Sequence, residues 1–204
     1  MRRILFALIM LVSAVAGASA QTPAAMLDKA VASLRASGTV SATYSVSSPQ
    51  GSYSGTIVMS GSKFRMLSRP VKCWYDGRTQ WSYSVATGEV NVTTPTAADL
   101  QMVNPYAAAQ GFKTNFNMWK ARTQVAGSYT IKLMPKKRRS NIRQILLYIA
   151  NGSCQIKKAR FEMTNGSATT VTISNYKTHV SYPASTFTFS KKLVPAGVQV
   201  VDLR

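Results

Sequence analysis

Six carboxylates and one histidine are all the acid–base chemistry available in 204 residues. Asp28, Asp76, Glu89, Asp99, Glu162 and Asp202 are scattered, and no two stand at a spacing that suggests a general acid paired with a general base. Each has a local use as a turn, helix-cap or strand-surface residue. His179 stands alone and reads as a strand-end or surface residue. A Ser-His-Asp triad, a Cys-His nucleophile and a zinc site therefore lack their parts. No glycine-rich phosphate loop follows a strand. The chain reads as a protein without enzymatic activity, metal or cofactor. Its two cysteines, Cys73 and Cys154, either close one disulfide or stay separate buried thiols. A bridge would enclose about 80 residues and stabilise by about 4 kcal/mol. Both readings stay open at the level of sequence.

The N-terminus sets the compartment in which any chemistry would act. Arg2-Arg3 precedes a short apolar run, Ile4 to Val12, and Ala18-Ser19-Ala20 is a small-residue cleavage site. This is the pattern of an export signal over residues 1–20, and the run is too short to span a bilayer as a helix. No cysteine follows the signal core, so no lipid anchor is expected. A soluble periplasmic protein of residues 21–204, in one domain, is the expectation. Removing Arg2 and Arg3 from 25 basic residues leaves 23 against six acidic ones, a net +17. Such a field draws a protein toward anionic membranes, lipopolysaccharide or nucleic acid, and export disfavours nucleic acid. The same charge also serves to keep a greasy chain in solution.

The elements read mostly as β. Ala24 to Ser37 is helical by composition, with Met26, Leu27, Val31 and Leu34 along one face. Val40, Ala42, Tyr44 and Val46 then alternate with Ser and Thr. Tyr53, Gly55, Ile57 and Met59 do the same after the Pro49-Gln50-Gly51 turn. Asp76-Gly77 is a hairpin signal, and Trp81, Tyr83 and Val85 alternate with small polar residues after it. Thr96 to Asp99 fits a helix-start box, with Leu100, Met102 and Val103 next and Pro105 as the expected stop, and Pro105 to Gln110 can add another short turn of helix. Phe112 to Trp119 is aromatic and irregular. Further strands follow around Tyr129 to Leu133, Ile142 to Ala150, Ile156 to Met163 and Val171 to Ile173, and a last short one is expected over Thr186 to Phe189. One apolar face and one Ser/Thr face per strand predict an antiparallel sheet with one wet side. The fold class is therefore mainly β with helices. About ten to eleven strands form a strongly curved sheet or incomplete barrel, and the helices cover its apolar side.

Phe64 before an alternating strand, then Tyr75-Asp76-Gly77-Arg78-Thr79-Gln80-Trp81-Ser82-Tyr83, then a Val-rich strand, resembles the LolA family of periplasmic lipoprotein carriers. Phe187-Thr188-Phe189 with Val198-Gln199-Val200-Val201-Asp202 looks like that family's C-terminus. The resemblance covers most of the mature chain. It implies a half-barrel under a helical lid, and a soluble carrier that shields lipoprotein acyl chains. Its partners would be an inner-membrane releasing transporter and an outer-membrane acceptor. One position departs from the pattern. Four residues before the matching Phe, relatives often carry an Arg that helps hold the lid, and Ser60 stands here. The latch must differ or the client must.

The expected cavity wall is Phe64, Met66, Trp81, Tyr83, Phe161 and Met163. The expected underside of the lid is Met26, Leu27, Val31, Leu34, Leu100 and Met102. Nine methionines suit a surface that adapts to chains without fixed shape. The basic run Lys136 to Arg139 reads as a solvated loop or as a contact for an anionic membrane surface or partner. A monomer is expected. Two other readings share the half-barrel: a binder of lipopolysaccharide or glycolipid, favoured by the charge, and a sensor of stray lipoproteins.

Overall fold

Alternation of apolar and polar residues, repeated along most of the chain, produces one continuous sheet. The computed structural model describes residues 21–101 and 103–204. The expected export signal and Met102 lie outside the described residues. The elements run α1 (Pro23–Ala36), β1 (Val40–Ser48), β2 (Gly51–Ser60), β3 (Lys63–Ser68), β4 (Val71–Tyr75), β5 (Gln80–Ser84) and β6 (Glu89–Thr93). Next come α2 (Ala97–Gln101), α3 (Pro105–Asn115), β7 (Phe116–Lys120), β8 (Ser128–Pro135), β9 (Ile142–Ala150), β10 (Ile156–Met163) and β11 (Ala168–Lys177). Two 3-10 turns, Ala184–Phe187 and Lys191–Leu193, lead to β12 (Gln199–Asp202).

All twelve strands join one sheet in the order β12-β6-β5-β4-β3-β2-β1-β11-β10-β9-β8-β7. It is large, curved and unclosed. Neighbouring strands are antiparallel except β12, which pairs parallel with β6. The strand count is thus one or two above the expectation. One extra is β7, which the irregular aromatic stretch hid. The other is β12.

Two local readings are corrected and a third is extended. Pro105 follows the end of α2 and opens α3, which runs to Asn115, five residues past the short turn expected over Pro105 to Gln110. A proline at the first helical position loses no hydrogen bond, and the Asn104 side chain caps the turn by accepting from the Tyr106 and Ala107 amides. The closing strand is not Thr186 to Phe189. Those residues turn, with the Thr186 amide donating to the Pro183 carbonyl at 2.9 Å, and the strand forms at Gln199–Asp202 instead. The helix at the start begins one residue early, where the Thr22 hydroxyl accepts from the Ala25 amide. The Thr96–Asp99 box forms as read, each residue's side chain accepting from the other's backbone amide.

The register divides the sheet into two faces. On the inner face, Val40 pairs with Met59, Met59 with Phe64 and Phe64 with Tyr75. The same face carries Ile131, Leu133, Ile145 and Leu147 on the far half of the sheet. The three helices lie on this side. On the outer face, Trp74 pairs with Trp81, and Tyr83 with Val90. There the expected wet side is dry, because Phe189, Val194 and Val198 of the C-terminal segment pack over Trp74, Tyr83 and Val90. Trp74 is only 1% exposed.

Gly55 marks the tightest point of the sheet. A Cβ there would stand 2.2 Å from the Leu67 carbonyl oxygen and 2.7 Å from the Tyr44 hydroxyl. The backbone oxygen cannot swing away, so the substitution must push strands apart. Gly55→Ala is expected to cost about 1–3 kcal/mol in urea unfolding. A variant as stable as the parent would show that β2 and β3 are not held this close.

Candidate functional site

Helix α1 folds because Ala-rich sequence, a Thr22 cap and a proline at its start all favour it. Its apolar stripe then places Met26 and Leu27 in the sheet, where both are buried. They join Ala30, Ala109 of α3 and the inner side chains of β8 and β9 in one cluster, with Val31 and Phe161 against it. A second cluster contains Val40, Met59, Phe64, Cys73 and Tyr75, and Leu34, Leu100, Val103 and Tyr106 of the helical segments pack on it. The expected lid residues Met26, Leu27, Val31, Leu34 and Leu100 therefore all pack on the inner face. Met102 is outside the described residues.

The expected wall is not one surface. Phe64 and Met66 lie on the inner face of β3, and Phe161 faces inward on β10. Met163 is half-buried at an irregularity of register after Glu162 and belongs to neither cluster. Trp81 and Tyr83 lie on the outer face, in the cluster under the C-terminal segment. The cause is the Asp76-Gly77 hairpin. Tyr75 pairs with Gln80 across it, so Gln80 and Ser82 share the inner face with Tyr75 and Cys73, and the neighbouring aromatics must point the other way. Asp76 Oδ1 fixes that turn by accepting from the Arg78 and Thr79 amides at 2.9 and 2.8 Å, and Gly77 supplies a φ of +104°. Inner residues that sequence reasoning missed are Cys73 and Tyr75, whose alternation with Trp74 does carry the signal. Tyr106 lies in the short helical turn expected after Pro105, but nothing in that turn signalled which side packs on the sheet.

Electrostatically this inner surface is quiet. Burial pushes the Cys73 thiol up to about 12, against a hydrogen bond with Ser82. Burial likewise raises Tyr44 and Tyr106, and takes Tyr176 up to about 12. These groups stay neutral at any physiological pH. Cys73 and Cys154 are both free in the structure and sit against different clusters. Two clefts, of about 650 and 560 Å³, share Thr94 and Arg204; the first reaches Asp76 and the second reaches Asp99 at the start of α2. Among the described residues no group of three or more His, Cys, Asp or Glu is placed to hold a metal ion.

Among the described residues the polar ties that hold the helices down are few, and the end of α3 has most of them: Lys136 donates from its amide to the Asn115 carbonyl and from its ammonium to the Lys113 and Thr114 carbonyls. The Asn104 side chain donates to the Ser62 carbonyl at 3.0 Å, tying the α3 cap to the β2–β3 turn. The Ser33 hydroxyl donates to the Ser153 carbonyl at 2.9 Å, and the Tyr129 hydroxyl to the Gln21 carbonyl at 2.8 Å. Lys113 of α3 pairs with Asp28 of α1 in a largely exposed ion pair, and Arg35 lies 5.7 Å from the Tyr106 ring centre. Exposed pairs of this kind contribute at most about 1 kcal/mol. Ser60, at the end of β2, is hydrogen-bonded through its hydroxyl to Thr39 in the connection between α1 and β1.

A family model described as outer membrane lipoprotein carrier protein LolA matches residues 12–167. This chain belongs to the LolA family. No curated protein matches its sequence. An uncharacterized conserved protein from Thermus thermophilus has the same fold, at TM-score 0.60 and 12% identity over 87% of this chain and 96% of that one. A LolA superfamily protein from Nitrosomonas europaea is similar at TM-score 0.43 and 14% identity over 82% and 98% of the two chains. A DUF1329 family protein from Desulfovibrio piger is similar at 0.46 and 14%, over 85% and 100%. Among the described residues of this LolA-family chain, no helix is long and apolar enough to cross a membrane.

Asn104→Ala removes both the cap of α3 and its tether. Stability is expected to fall by about 1–2 kcal/mol, with faster hydrogen exchange in α3 than in β8 and β9. Uniform exchange would mean that the tether is idle. In the native protein one thiol, Cys154, is expected to label at pH 8. Both should label after unfolding, and reductant should leave the melting temperature unchanged. A bridged chain would instead lose about 4 kcal/mol on reduction.

Proposed function

We propose that the protein is a periplasmic carrier of acylated lipoproteins and has no catalytic role. Residues 1–20 direct export and residues 21–204 are the carrier, one domain acting as a monomer. The observation that carries this reading is an apolar inner sheet face covered by helices held down mainly by packing. Phe64, Met66 and Phe161 would meet the acyl chains once Met26, Leu27, Val31, Leu34 and Leu100 lift away. Membership of the LolA family supports the same reading.

The energetics suit a shuttle. Each buried CH₂ of an acyl chain is favourable by about 0.8 kcal/mol. Loading must displace the helical side chains that occupy the inner face, and that cost is set against the gain from chain burial. Net binding is thereby kept weak enough for handover from an inner-membrane releasing transporter to an outer-membrane acceptor.

The direct test adds purified protein to spheroplasts of its source organism and probes the soluble fraction for newly made lipoproteins. A one-to-one complex that needs the acyl chains is expected. No release, with salt-sensitive binding of lipopolysaccharide instead, would replace the carrier reading with a glycolipid binder. The lid is tested by Ser33→Cys with Ser153→Cys, joined by a short thiol crosslinker in a Cys154→Ser background. Locking α1 is expected to abolish loading, and normal loading in the locked form would overturn the lid mechanism.

A further inference from the structure

The outer face of the sheet has three zones. Over β3 to β6 it is apolar and covered by the C-terminal segment. Over β1, β2 and β11 it is mostly Ser and Thr. Over β7 to β10 it is neither. Cross-strand pairing sets Trp119, Lys132, Leu146 and Arg160 in one row. In the adjacent row the Lys158 ammonium lies 4.2 Å from the Tyr148 ring centre. Trp119 is 47% exposed and Met134 38%, whereas Trp74 is buried. Large apolar side chains thus share this face with cations.

The segment that forms these strands and their loops is strongly basic. Residues 116–163 hold eleven basic residues and one acidic residue, and Lys132, Lys158 and Arg160 are among those on the outer face. That one, Glu162, is taken up by Arg143 and Arg160. Four of the eleven basic residues, Lys136 to Arg139, lie in the exposed β8–β9 loop at the end of the same strands. Lys136 is committed to the Lys113 and Thr114 carbonyls, which leaves Lys137, Arg138 and Arg139 without a side-chain partner among the described residues.

We infer that the outer face of β7 to β10, with the β8–β9 loop, docks on an anionic lipid bilayer. The complementarity is twofold. Headgroup phosphates form a plane of negative charge that an extended sheet face can meet at many points. The layer just beneath is apolar, and tryptophan is the side chain best suited to that boundary. An acidic protein would answer the charge, but it would leave Trp119 and Met134 without a reason to be exposed. The inference does not depend on acyl-chain carriage, because this face is on the other side of the sheet from the helices.

The test is cosedimentation of the purified protein with phosphatidylcholine vesicles, with and without phosphatidylglycerol, alongside tryptophan emission. Binding is expected only with phosphatidylglycerol, with a blue shift that is quenched by brominated lipid and absent in Trp119→Phe. Lys137→Gln with Arg138→Gln and Arg139→Gln should weaken binding by about a hundredfold. The matched set Lys29→Gln, Lys63→Gln and Lys177→Gln, elsewhere on the surface, removes equal charge and should change binding less than about tenfold. Equal loss in both sets would reduce the effect to net charge and overturn the face. Pelleting without a Trp119 signal would do the same. Failure to bind either vesicle, with retention on an acidic protein surface, would overturn the bilayer as partner.

Discussion

A sheet with apolar residues on both sides cannot stand bare in water, and the rest of this structure follows from that constraint. Twelve strands curve without closing, so the barrel does not hide its own interior. Each apolar region must find a separate cover. The helices take the inner face. The C-terminal segment takes one part of the outer face. Ser and Thr spare the central strands from needing any cover at all.

The two covers differ in kind. The C-terminal segment ends as a strand, hydrogen-bonded along β6 through Gln199, Val200, Val201 and Asp202. The helices are not strands of the sheet; they rely on side-chain packing plus a few ties, the end of α3 being held by Lys136 and by its run into β7. A cover fixed by backbone bonds is built to stay. One fixed by Met, Leu and Val side chains can be exchanged for other apolar matter of similar volume. This contrast, more than any single residue, separates the scaffold from the candidate site.

Much of this was legible in the sequence. Period-two alternation located most strands, the Ala-rich stripe located α1, and the Thr96–Asp99 box located α2. The inward direction of Phe64 and Met66 was also readable. What failed was the sidedness of β5. Alternation tells the two faces of a strand apart, but it assigns them to inside or outside only by polarity. Around Asp76-Gly77 both faces are apolar, Cys73 and Tyr75 on one and Trp74, Trp81 and Tyr83 on the other, so polarity carries no direction. The deciding fact is the cover supplied by Phe189, Val194 and Val198, more than a hundred residues later. The stretch after Pro105 was legible as a short helical turn but not at the full length of α3, which the Asn104 cap opens and which runs on to Asn115. The two cysteines gave no spatial information by themselves.

The place of β12 also sets the order in which the protein becomes whole. β1 sits mid-sheet between β2 and β11, and β6 waits for residues 199–202. A ribosome or an export channel delivers the first six strands long before either partner emerges. Throughout that interval the Trp74–Trp81 pair and the β6 edge are open, and nothing translated so far can close them. The sheet is therefore completed only once residues 199–202 have been delivered, which makes the unfinished intermediate, more than the finished fold, the form most in need of protection from aggregation.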